Sequence, residues 1–117
     1  MSNSNALSNA RGVHTGVPTY FRANCREATQ GGDRGYFAPG YTLGRAVCNE
    51  QPYDLDMDEW AERIGALQVL LGQDDTEGTW QWFARHYPKM TALIPARRRD
   101  QFIAGVRAAY DDGCVAL

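Results

Sequence analysis

Lysine is nearly missing from this chain: eleven of its twelve basic residues are arginine, and Lys89 is the single exception. A bias spread over the whole length reads first as GC-rich, bacterial coding. Only second does it read as a choice of the planar guanidinium for pairing with carboxylate or phosphate. Cysteine is also scarce. Cys25, Cys48 and Cys114 are an odd number at spacings that match no disulfide or zinc framework, which excludes a small stapled scaffold. Those spacings, with no apolar targeting segment after Met1, make a reducing, cytoplasmic compartment the expectation. Apolar runs such as Val69 to Leu71 fall far below the roughly 20 residues needed to cross a bilayer, so no membrane partner is expected. A length of 117 residues leaves no room for a second domain, and a net charge of −2 excludes a broad nucleic-acid coat.

Chemistry-bearing motifs are missing too. Asp54-Leu55-Asp56-Met57-Asp58 imitates the opening of a calcium loop, but the sixth and twelfth positions hold Glu59 and Gly65 where glycine and glutamate are required. No pair of His14, His86 and the cysteines stands at zinc-ligand spacing, and nothing marks a cysteine as a nucleophile. The expectation is a protein that is not an enzyme and needs no cofactor or metal.

What the chain does have is segregated charge. Between Gln51 and Glu77, eight carboxylates oppose the one cation Arg63; between Arg85 and Arg107, six cations oppose Asp100 alone. Like charges gathered on one surface are tolerated where something complementary meets them or solvent screens them. The acidic face is read as Asp54, Asp58, Glu62, Asp74 and Asp75. The basic face centres on Arg97, Arg98 and Arg99, at a helix start where the positive dipole end disfavours cations. The bland alternative is mutual neutralisation of the two blocks inside the folded monomer. Trp82, with Arg85, His86 and Lys89 nearby, has the composition of an interface hot spot, the alternative being burial of the ring under the N-terminal half.

Periodicity predicts a mainly α protein. Asp56 and Glu59 form a capping box, Leu55 and Trp60 a hydrophobic staple, and Met57, Trp60, Ile64, Leu67 and Leu71 one stripe that Gly72 ends in the left-handed conformation. A second helix opens at Asp74 to Glu77, with Trp80, Phe83, Ala84 and Tyr87 inward, and stops before Pro88. A short turn follows through Ile94. A last helix starts at Pro95 and buries Phe102, Ile103, Val106, Ala109 and Tyr110 until about Asp112. These three helices suggest a small antiparallel bundle spanning residues 13–117. In the glycine-rich N-terminal half, Thr19 to Thr29 reads as a short helix or a strand. Gly31 to Gly35 reads as a turn, Pro39-Gly40 as the turn of a hairpin or aromatic lid across one opening of the bundle, and Met1 to Gly12 as a disordered arm.

Function then rests on surfaces. The leading expectation is a protein-binding module, an adaptor, regulator or inhibitor, including the phage- or plasmid-encoded anti-defence inhibitors of mobile elements. The alternative is a DNA-binding regulator using Arg97 to Arg99, with carboxylates at the start of the second helix arguing against nucleic acid there. Opposed charge blocks also suggest a homodimer.

Overall fold

The computed structural model describes residues 17–29, 35–49 and 55–113. Among these it is all helical: α1 (Thr19–Ala28), α2 (Phe37–Asn49), α3 (Met57–Gly72), α4 (Thr76–His86), α5 (Pro88–Thr91) and α6 (Arg99–Gly113), with a 3-10 turn at Ala96–Arg98 before α6. The expected arm at Met1 to Gly12, most of the turn at Gly31 to Gly35, His14, Asp54 and Cys114 lie outside the described residues.

The strongest departure from expectation is α2. Pro39-Gly40 is no hairpin turn but lies in the first turn of this helix, where proline's missing N–H is one that has no intrahelical partner anyway. Far from forming a lid, α2 lies in the core alongside α6. Gly40 and Gly44, one turn apart, press against the backbone at Phe102 and Val106, and Gly105 presses back against Phe37 and Tyr41. A Cβ at Gly40 or Gly105 would collide with a carbonyl oxygen of the opposite helix, so these positions let two backbones meet without side chains between them. Residue numbers rise together across the contact, so α2 and α6 run parallel, a relation open to helices far apart in the chain. Polar contacts hold both ends. The Tyr36 N–H donates to Gln101 Oε1 at 3.2 Å, and the Tyr41 hydroxyl donates to Asp112 Oδ2 at 2.8 Å.

Helix α1 buries Phe21, Cys25 and Ala28 and is tied to α2 by Asn24 Nδ2 donating to Thr42 Oγ1 at 2.9 Å. The strand alternative for this segment is therefore excluded. Cys25 is a free thiol whose burial pushes its pKa up to about 11. Cys48, buried in α2, is disulfide-bonded, which the spacings did not announce. A reducing cytosol disfavours such a bond, so cysteine spacing loses its force as an argument for a cytoplasmic compartment. No helix among the described residues is long and apolar enough to cross a membrane.

In α3 the capping box forms as expected: the Glu59 N–H donates to Asp56 Oδ1 at 2.8 Å and the Asp56 N–H to Glu59 Oε1 at 3.3 Å. Trp60, Ile64, Leu67 and Leu71 are buried, but Met57, assigned to the same stripe, is 55% exposed at the start of the helix. The left-handed residue is Asp74 at φ 58°, not Gly72. Asp74 and Asp75 N–H groups return to the Leu71 and Leu70 carbonyls, closing a Schellman motif. Arg107 of α6 makes the aspartate tolerable there: its guanidinium donates to the Leu71 carbonyl at 2.8 Å and pairs with Asp74 Oδ1 at 2.8 Å. The chain then reverses into α4, capped by Asp75 accepting from the Gly78 N–H at 2.8 Å. Pro95 is extended (ψ 144°) rather than helical, so the last helix enters through the 3-10 turn.

Replacing Gly105 by alanine should separate α2 from α6 and destabilise the fold by about 2 kcal/mol or more in denaturant melts. Gly65, with nothing within 4 Å of an added Cβ, should accept alanine with no loss.

Candidate cationic cleft and apolar groove

The predicted basic face divides. Arg99 leaves it: its guanidinium carbon lies 4.6 Å from the Trp80 ring centroid, which in turn stands edge-on to Phe102. Arg97 is exposed and Arg98 half-buried, and both turn toward α1. Here the fold supplies residues that sequence reading missed. Arg97 and Arg98 line a depression of about 250 Å³ with Ala28, Thr29, Tyr36 and Pro95. Arg22 and Arg26, one turn apart on α1, line an adjoining depression of about 290 Å³ with Cys25 and Leu93, and Thr29 and Tyr36 belong to both. Four arginines from segments some seventy residues apart thus border two adjoining depressions that share Thr29 and Tyr36, together called the cleft below. None of their guanidinia makes a hydrogen bond or ion pair to a described residue; the ion pair formed among those residues is Arg107 with Asp74. The floor is partly apolar, with Leu93 37% exposed. Such a surface can receive an anionic group through bidentate guanidinium contacts while seating an apolar neighbour. The i, i+4 spacing of Arg22 and Arg26 was the available signal, hidden because nothing in the sequence places α1 beside Pro95.

Trp82 is buried at 7% exposure and lies beside residues of α3. Trp80 and Trp82 lie about 200° apart on α4, which puts the Arg99 contact and Trp82 on opposite sides of that helix. Trp82 meets Phe83 edge-on and His86 and Tyr87 at tilted angles, and lines an apolar groove of about 420 Å³ between α3 and α4 with Ala66, Val69, Leu70 and Arg85. His86 is not the cation that its neighbourhood suggested. Burial, reinforced by Arg63 and Arg85, lowers its pKa to about 4, leaving it neutral at pH 7. Lys89 is exposed on α5. On the acidic side Asp74 and Asp75 serve the α3–α4 reversal, whereas Asp58 and Glu62, one turn apart on α3, are exposed and their carboxylates make no hydrogen bond or ion pair to a described residue.

Comparison with known proteins finds no family model, curated protein or solved structure that matches the chain.

Removing Arg99 should cost about 0.5–2 kcal/mol in denaturant melts through its contact with Trp80. Alanine at Arg97 and Arg98 together should leave the melt within about 0.5 kcal/mol.

For His86 the folded pKa lies below the unfolded value of 6.5, so the unfolded chain binds the additional proton. Its contribution is complete above about pH 6.5 and is lost as pH falls toward 4. Between pH 7 and 5 the wild-type melting temperature should drop more than that of His86→Asn.

Proposed function

We propose that this protein is a non-enzymatic binding module that acts by occupying an acidic surface of a partner protein, as an adaptor, regulator or inhibitor does. Mobile-element inhibitors of host defence are one such class. The observation that carries the reading is the set of four arginines around one cleft, unpaired with any described carboxylate although the chain holds fourteen acidic residues. Cations left unpaired in this way steer and anchor a complementary surface. The apolar floor around Leu93 and Tyr36 suits a peptide or protein surface better than a phosphodiester backbone. The exposed carboxylates of α3 would repel a duplex that extended onto that helix.

Affinity capture from the source cell with the full-length chain, beside a variant with Arg22, Arg26, Arg97 and Arg98 all changed to alanine, tests the reading. The variant should keep its helical spectrum and melting temperature and lose the partner that mass spectrometry identifies with wild type. Equal capture by both proteins would reject the cleft as the binding surface. A shift of duplex DNA by wild type at physiological salt, with a salt slope that shrinks in the variant, would replace the protein partner with nucleic acid.

A further inference from the structure

The same cleft has a complement within the chain itself. Four large apolar residues are well exposed among those described: Tyr20, Met57, Val69 and Leu93. Leu93 lies in the depression bordered by Arg22 and Arg26. Met57 opens α3 beside Asp58, with Glu62 one turn further on, and both carboxylates are exposed and without a partner among the described residues. One surface is an apolar side chain among unpaired cations, the other an apolar side chain among unpaired carboxylates. We propose that a second copy of this chain seats its α3 start, with Met57, Asp58 and Glu62, in the arginine cleft of the first. Met57 covers Leu93 while Asp58 and Glu62 meet the guanidinia of Arg22, Arg26, Arg97 and Arg98. Cleft and helix start are different surfaces, so a two-fold dimer makes the contact twice. Because two small patches of exposed charge make it, the association is weak and salt-sensitive.

This inference uses the cleft that the binding reading rests on, and its test is separate from capture of a foreign partner. Sedimentation of the full chain over a concentration series should show a dimer whose dissociation constant rises about tenfold or more between about 50 and 300 mM salt. Two charge-reversed variants decide the site. Arg26→Glu with Arg97→Glu makes the cleft acidic, and Asp58→Lys with Glu62→Lys makes the helix start basic; neither pair touches the capping box or the core. Each variant alone should be monomeric. Mixed one to one they should pair again, since one contact is then the native pairing and the other is attractive with its signs exchanged. A wild-type monomer at every concentration and salt overturns the proposal, as does a dimer that survives both reversals, or reversed variants that fail to pair on mixing. If that happens while the four-arginine variant still loses a captured protein, self-association fails and the binding reading stands.

Discussion

Close contact between α2 and α6 is the constraint on which the rest of the structure depends. Gly40, Gly44 and Gly105 remove the side chains that would hold the helices apart, and the carbonyls of Phe37 and Phe102 occupy the space. Around this seam Leu43, Val47, Phe102 and Val106 are wholly buried. Glycine inside a helix costs about 1 kcal/mol each relative to alanine. The helices tolerate that cost because dispersion contacts between two backbones at short range, summed over the seam, are lost entirely if they separate.

From that seam the positions of both surfaces follow. With α6 fixed against α2, Arg107 reaches the end of α3 and joins the Leu71 carbonyl and Asp74, which sets where the chain reverses into α4. With α1 tied to α2 through Asn24 and Thr42, Arg22 and Arg26 come to the same cleft as Arg97 and Arg98. The segregated charge is therefore only partly neutralised within the fold. Arg107 and Asp74 pair, Asp75 and Asp56 cap helices, Arg99 covers Trp80, and what remains outside is a smaller, more specific pair of surfaces than the two blocks in the chain.

That reduction bears on function. A block of like charge says only that something complementary is required somewhere, whereas a cleft with a cationic rim and a partly apolar floor restricts the chemistry of what enters. On the proposed reading it takes segments that carry carboxylates beside an apolar side chain, and the fold separates the cationic cleft from the Trp82 groove, which the order of residues along the chain had placed in one basic stretch.

The amino-acid sequence alone determined α3, α4 and α6, because local signals agree there: the Asp56–Glu59 box, the three- and four-residue recurrence from Trp60 to Leu71, the stop before Pro88 and the stripe from Phe102 to Ala109. These are interactions within one turn or one face of a helix, legible wherever neighbours in sequence decide them. Only the tertiary structure decided α2, since glycine and proline locally favour a turn at Pro39-Gly40 and it is the backbone of α6, more than sixty residues away, that rewards their lack of side chain. The same holds for the left-handed Asp74, stabilised by Arg107, for the neutrality of His86, set by burial beside Arg63 and Arg85, and for the cleft itself. Arg22 and Arg26 give no sign of Arg97 and Arg98, because what joins them is the packing of α1 near the Pro95 turn, and charge along a chain carries no record of which surfaces folding will bring together.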